Sequence, residues 1–225
     1  MRRRSTLALA LCAALAVTPS LAPAATTPPA KPVSAAYAVK GFRSALFGMD
    51  EAQVLAAAAK DLKVDPATAQ RQTNPAEGTT VISFASVHVD PAPMPAQVVY
   101  IFGAASHRLV HVNIVWATPA GQEEIQRPVL IGLALKLRGY FLGYAWPDKN
   151  VLLDVPAGPN GVITFIGQDA SGGAVEVMLQ GVAYSHSING QPVQSPTPSG
   201  PAILRLSYSQ NITKPDKAVV APGSF

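Results

Sequence analysis

LVHVNIVW, residues 109–116, is the segment that decides the fold class. Apolar and polar side chains alternate along it, so that one face of an extended strand is apolar and the other carries His111 and Asn113. A period of two is typical of an antiparallel strand that packs one face on a core and leaves the other toward water. The segment therefore predicts a half-buried strand whose apolar face consists of Val110, Val112, Ile114 and Trp116.

Further strands are predicted on both sides of this segment, where β-branched and aromatic residues cluster between turn residues. Residues 79–89 and 97–102 precede it, and a short loop at residues 103–108 joins it to the second of these as a hairpin. Four more candidate strands follow, at residues 150–155, 161–167, 174–184 and 202–209. We expect an antiparallel sheet built partly from hairpins.

Two helices are predicted, one before each group of strands. The first begins after Asp50, whose side chain can accept from a free backbone N–H, and Gln53 completes a capping box three residues later. It ends before Asp65-Pro66, because the residue before a proline disfavours helix. The second spans about residues 122–144, with an apolar side formed by Ile125, Val129, Leu133, Leu137, Tyr140 and Phe141.

The order of these elements predicts an α+β fold of two tandem units, each a helix followed by antiparallel strands, with the helices packed on one face of the sheet. The first unit covers residues 41–117 and the second residues 118–210. A leader rich in Pro, Ala and Thr is predicted to be flexible at residues 26–40, although Tyr37 and Val39 begin to contact the body. Residues 211–225 are predicted to form a flexible tail.

The first 25 residues have the features of a secretory signal peptide. Arg2, Arg3 and Arg4 precede an apolar run at residues 7–17, which is too short to span a bilayer core of ~30 Å. Ala22-Pro23-Ala24 then offers small residues for cleavage near Ala24 or Ala25. We therefore expect a bacterial protein that is periplasmic or secreted.

Charge and cysteine content narrow the possible partners of the mature chain. Removal of the three arginines changes 17 basic against 13 acidic residues into 14 against 13, which argues against nucleic-acid binding. Cys12, the one cysteine, leaves with the signal, so neither a disulfide nor a thiolate site is expected. The sequence has no second long apolar run, so no transmembrane helix is predicted.

The phrase Phe47-Gly48-Met49-Asp50, followed by Val54 on the helix, resembles a helix opening of small bacterial envelope proteins. These are the SmpA/BamE outer-membrane assembly lipoproteins and the β-lactamase inhibitory proteins. The resemblance implies helices on one face of a curved antiparallel sheet, repeated in tandem in the inhibitors. Unlike those lipoproteins the chain has no lipidation cysteine, and unlike those inhibitors its mature part has no disulfide. The family shares a scaffold rather than one activity.

No pattern of catalytic, cofactor-binding or metal-ligating residues is found, so we expect a protein that is not an enzyme. The four histidines do not have the spacing of a zinc site, no G-x-S-x-G is present, and the glycine turn at residues 158–161 lacks the following Lys-Ser/Thr of a phosphate loop. Asp169 is interpreted as a turn former and His111 as a water-facing neighbour of Asn113. The histidines are His88, His107, His111 and His186, and the unpaired acidic candidates are Asp90, Asp148, Asp154 and Glu176.

Three functional hypotheses remain. The first is binding to another envelope or extracellular protein through the open face of the sheet and the loops at residues 103–108 and 192–201. The second is a small-molecule or lipid site between helix and sheet, and a pocket of ~300 Å³ or more would favour it over a closed core. The third is a hydrolase with a dispersed site. The partner and the oligomeric state stay open, and the aromatic candidates for the second hypothesis are Phe141, Tyr144, Trp146 and Phe165.

Overall fold

The computed structural model describes residues 35–188 and 191–218 of the chain. The predicted signal peptide, residues 26–34 of the predicted leader and residues 219–225 of the predicted tail lie outside the described residues. Within the described ranges, neither α-helix is long and apolar enough to cross a membrane.

The described residues form thirteen strands, two pairs of which are small separate hairpins. One consists of β1 (Gly41–Phe42) and β2 (Ala45–Leu46). The strands of the main sheet are β3 (Gln70–Asn74), β4 (Thr79–Val87), β5 (Ala96–Phe102), β6 (Leu109–Ala117), β7 (Val151–Leu152), β8 (Val155–Pro156), β9 (Gly161–Gln168) and β10 (Ala174–Gln180). The second hairpin is β11 (Ser185–Ile188) with β12 (Gln191–Gln194), and β13 (Ile203–Ser209) completes the main sheet.

The main sheet has nine antiparallel strands in the spatial order β3-β4-β5-β6-β13-β10-β9-β7, and β8 also pairs with β9. The strand at residues 109–116 predicted from the sequence is β6, which is confirmed as half-buried and antiparallel. Val112, Ile114 and Trp116 are buried as predicted, but a bulge in the pairing with β5 buries Leu109 in place of Val110. The partners of β6 are β5 on one side and β13 on the other, and β13 comes from the far end of the chain.

The predicted fold class of two tandem helix-plus-strand units is wrong. The described residues are mostly β, with only two α-helices, and the strands form one continuous sheet. The physical reason is β13, which pairs along its whole length with β6 of the first group and with β10 of the second. Its apolar residues Leu204, Leu206 and Tyr208 stand opposite Trp116, Ile114 and Val112, so pairing across the two groups continues one apolar face.

Helix α1 (Glu51–Leu62) begins as the sequence predicts. The backbone N–H of Gln53 donates to Asp50 Oδ1 over 3.0 Å, and the backbone N–H of Asp50 donates to Gln53 Oε1 over 3.0 Å. The capping box is thereby confirmed, and Lys63 ends the helix in the left-handed conformation. The residues that α1 buries in the core are Val54, Ala57, Ala58 and Leu62.

Helix α2 (Glu123–Leu142) packs on β9, β10 and β13. Leu133, Leu137 and Phe141 of its predicted apolar side are buried, whereas Ile125 and Tyr140 are exposed. The sheet face beneath the helices carries the largest buried side chains, which include Trp116, Tyr100, Phe84 and Phe165. The opposite face is only half-buried, as the alternation in β6 predicts.

We expect Leu204→Ala to lower the free energy of unfolding by about 2–5 kcal/mol, because this fully buried residue lies in the strand that joins the two groups. Ile125→Ala is the control, since Ile125 is 74% exposed and its truncation should change stability little. Urea unfolding, followed by circular dichroism and tryptophan fluorescence, measures the free energy of unfolding of both variants. The unaltered chain should unfold in one transition, and two separate transitions would contradict a single continuous sheet.

Candidate functional site

A cavity of about 410 Å³ lies between α2 and the helix-covered face of the sheet. We call it the aromatic pocket. The β1–β2 hairpin, the segment around Tyr37 and the loop at residues 89–91 close its sides. Its walls are mainly apolar, and its mouth carries Arg43, Asp90 and Lys136. The principal wall residues are Tyr37, Phe42, Trp116, Phe141, Leu206 and Tyr208.

The rings of these walls hold one another in place. Phe141 stacks on Phe165 with 5.6 Å between ring centroids, and it meets the edge of Tyr37 at 5.6 Å. Tyr208 lies 5.7 Å from Phe42 and 6.3 Å from Phe141. Edge-to-face and offset contacts at these distances are favourable, so the rings support one another without a ligand.

Two tyrosine hydroxyls supply the polar groups within this apolar surface. Burial, followed by the nearby phenols of Tyr140 and Tyr144, raises the pKa of Tyr37 to about 12. Burial and the neighbouring Tyr37 raise the pKa of Tyr208 further. Both hydroxyls are therefore protonated at neutral pH and can donate hydrogen bonds.

Trp116 forms part of the wall, but its indole N–H does not itself face the cavity. The residue is 1% exposed, and its Nε1 atom is buried without a hydrogen-bond partner among the described residues. Buried donors are normally paired, so this one adds a local desolvation cost to the core. The ring therefore contributes apolar surface rather than a polar contact.

The segment that carries Tyr37 is fixed to the body at two points. The backbone N–H of Tyr37 donates to the carbonyl of Ala145 over 3.1 Å, and that of Ala145 donates to the carbonyl of Ala35 over 3.1 Å. The backbone N–H of Val39 donates to Asp169 Oδ2 over 2.8 Å. The expectation that Tyr37 and Val39 contact the body is thus confirmed.

Asp169 joins this segment to the turn between β9 and β10. Besides Val39, it accepts from the backbone N–H groups of Ser171 and Gly173, at 2.8 and 2.9 Å, and from the Ser171 hydroxyl at 2.7 Å. The interpretation of Asp169 as a turn former is confirmed. Burial acts to raise the pKa of Asp169, but these hydrogen bonds outweigh it and hold the pKa below its usual value.

Of the four aromatic residues named from the sequence, Phe141 lines the pocket, whereas Tyr144, Trp146 and Phe165 support it from behind. Trp146 lies 5.0 Å from Tyr37 and 5.6 Å from Phe165 between ring centroids. The sequence did not assign Phe42, Trp116 and Tyr208 to a site. Trp116 and Tyr208 carried only the signal of alternating positions in strands, and Phe42 carried none.

The half-buried face of the sheet carries a second arrangement, a row of cross-strand hydrogen bonds. Asn113 Oδ1 lies 2.8 Å from His111 Nε2 and accepts from the Ser207 hydroxyl over 2.7 Å. Ser209 Oγ lies 2.8 Å from His111 Nδ1. Since Asn113 Oδ1 can only accept, His111 carries its proton on Nε2 and accepts from Ser209 on Nδ1. Burial lowers the pKa of His111, so the imidazole is neutral at pH 7.

The order Ser209, His111, Asn113 resembles the relay of an acyl-transfer enzyme, but the remaining geometry differs. Such chemistry also needs donors aimed at the developing oxyanion. Ser209 pairs with His111 and Ala174 in the sheet, and the next backbone N–H, that of Gln210, donates to the carbonyl of Val110 over 2.9 Å. The sheet itself therefore occupies the backbone groups around this serine, and we assign the row a structural role.

A cleft of about 510 Å³ lies beside this row, beneath residues 210–217. Asp216 accepts from the backbone N–H groups of Ala105 and Ser106 at 2.9 and 3.0 Å, and Lys217 lies 3.3 Å from Glu77. Two amides of the loop at residues 103–108, which the sequence suggested for partner binding, are therefore already used. In the part of the chain that the structure describes, no three His, Cys, Asp or Glu side chains are grouped as metal ligands would be.

Comparisons with known proteins do not name either site. No protein-family model, no curated protein and no solved structure matches the chain.

We expect Asp169→Asn to destabilise the protein at pH 7 by about 1–3 kcal/mol, because an amide nitrogen replaces one of the two accepting oxygens. A carboxylate with a lowered pKa in the folded state stabilises above its unfolded pKa of ~3.9 and loses that contribution as pH falls through the folded pKa. The difference between the two proteins should therefore shrink between about pH 5 and pH 3.

Urea unfolding at pH 7, 5 and 3.5 measures this difference. Asp148→Asn is the control, since Asp148 is exposed and makes no side-chain hydrogen bond to any residue that the structure describes. A difference between Asp169→Asn and the unaltered chain that stays constant with pH would argue against the ionised carboxylate as the stabilising group.

Proposed function

We propose that this is an exported, non-enzymatic protein that binds a small amphipathic molecule in the aromatic pocket. The observation that carries the proposal is the pocket itself, an apolar cavity of about 410 Å³ with a few polar groups between α2 and the sheet. Small-molecule sites typically have volumes of ~300–1,000 Å³ and this kind of lining. The cavity exceeds the size that favours a ligand over a closed core.

The packing of the wall residues on one another supports the same proposal in energetic terms. Binding is weakened when side chains must become ordered, and here Phe141 is already held by Tyr37, Phe165 and Tyr208. The Tyr37 and Tyr208 hydroxyls interact with each other, and the polar groups at the mouth, Arg43 and Lys136, are left for the polar end of the ligand. Apolar surface gives affinity and the few polar groups give orientation.

Export is the part of the proposal that rests on the sequence. The arginine-rich start, the short apolar run and the small residues before Ala25 support it. The resemblance of residues 47–50 to envelope proteins of the SmpA/BamE and β-lactamase-inhibitory type is in keeping with a periplasmic or secreted location.

N-terminal sequencing of the protein recovered from periplasm or medium should read from Ala25 or Thr26, because cleavage is expected after Ala24 or Ala25. A protein that keeps Arg2 to Arg4 and stays with the membrane would contradict export by a cleaved signal.

As a second candidate function, we propose that the half-buried sheet face binds another envelope or extracellular protein. The observation in its favour is the ordered row of His111, Asn113 and Ser207 beside a single ion pair, Arg205 Nη2 to Glu176 Oε1 at 2.8 Å. A rigid surface with few charges at its centre is typical of interface cores.

The pocket is tested with decanol, a neutral amphiphile, and the exported protein. We expect decanol to raise the thermal unfolding midpoint, because a ligand that binds only the folded state stabilises it. Leu137→Trp fills the pocket and should weaken decanol binding about tenfold or more, whereas Leu135→Trp on the exposed side of the same helix should not.

Leu137→Phe also fills part of the pocket but is a smaller change, and it replaces Leu137→Trp if tryptophan disrupts the packing of α2. Equal decanol binding by the unaltered chain, Leu137→Phe and Leu135→Trp, or no binding by any of them, would contradict the proposed function.

A further inference from the structure

We propose that the ligand of the aromatic pocket is a monoanionic amphiphile, an apolar body with one carboxylate that lies at the mouth beside Lys136. This inference rests on the proposed function, because it assigns the chemistry of a ligand to the same pocket.

The mouth of the pocket has an excess of positive charge. Lys136 and Arg43 lie there with one carboxylate, that of Asp90. Among the described residues Lys136 has no ion-pair partner, so no carboxylate of the chain neutralises it. An unpaired ammonium group beside an apolar cavity attracts an anion more strongly than one surrounded by water.

The other two charges at the mouth leave that attraction in place. Arg43 lies over the Phe42 ring, 5.3 Å from its centroid, and donates to the backbone carbonyl of Asp61 over 2.8 Å, so its position is fixed. The Asp61 carboxylate interacts electrostatically with Arg43 and offsets part of its charge, which leaves Lys136 as the main cation at the mouth. The Asp90 side chain is 83% exposed and lies 3.2 Å from His88 Nε2. Water screens an exposed carboxylate of this kind, which reduces its repulsion of a bound anion.

The interior of the pocket determines which end of the ligand enters. Trp116, Leu206 and Tyr208 are buried, and an ion placed against them would lose its hydration without gaining a charged partner. The apolar body therefore occupies the interior and the carboxylate stays at the mouth. A cationic amphiphile of the same length would place its head beside Lys136 and Arg43 and bind more weakly.

The test compares decanoate, decanol and decylamine by titration calorimetry at low salt. Decanoate should bind the exported protein about tenfold more tightly than decylamine. Lys136→Glu should weaken decanoate binding about five- to tenfold, because an attraction becomes a repulsion, and should leave decanol binding within about twofold. Raising the salt to about 0.5 M should weaken decanoate binding and not decanol binding.

Lys214→Glu is the matched control, because it changes the net charge equally and lies beneath the opposite sheet face. It should leave all three affinities unchanged. This inference would be overturned, and the pocket retained, by the following pair of results. Leu137→Trp abolishes decanol binding, and decanoate either binds no better than decylamine or binds equally well to Lys136→Glu. Binding of the three amphiphiles that Leu137→Trp and Leu137→Phe do not weaken would instead overturn the proposed function.

Discussion

The pairing of β13 with both β6 and β10 is the constraint on which the rest of the structure depends. Residues from two distant parts of the chain meet there in register, so that Leu204, Leu206 and Tyr208 continue one apolar surface across the sheet. A slip of one residue would turn these side chains to the half-buried face and bring Arg205 and Ser207 beneath the helix. Burial therefore specifies the register strongly, and the register in turn places Tyr208 and Leu206 in the wall of the aromatic pocket.

The two faces of this sheet are suited to different kinds of binding. Beneath α2 the side chains are large and aromatic, and a cavity lies between them, the helix, the β1–β2 hairpin and the Tyr37 segment. On the other face, short polar side chains such as Ser207 and Asn113 satisfy one another through hydrogen bonds. A ligand must displace little to enter the first, whereas the second offers an ordered surface to something larger.

Local structure was predictable from the sequence where residues close together in the chain determine it. The capping box of Asp50 and Gln53, the alternation in β6 and the turn at Asp169 all depend on short spacings, and the structure confirms them. The tandem arrangement failed because strand order depends on pairing between distant segments, and β13 carries the same alternation whether it pairs with β6 or with a strand of its own group. The pocket was predicted only through Phe141, since Tyr37 and Phe42 belong to segments without helical or strand periodicity.

The most direct test of a ligand site beneath α2 is a nitrogen–proton NMR titration of the labelled protein with decanoate. Trp116 forms part of the pocket wall and has an indole N–H that reports on its surroundings, while Asn113 and Ser207 report on the opposite face. The account predicts saturable shifts of the Trp116 indole and of the Tyr37 and Phe42 amides, with Asn113 and Ser207 unmoved. Shifts confined to Asn113, Ser207 and their neighbours, or none that saturate, would contradict a binding site in the aromatic pocket.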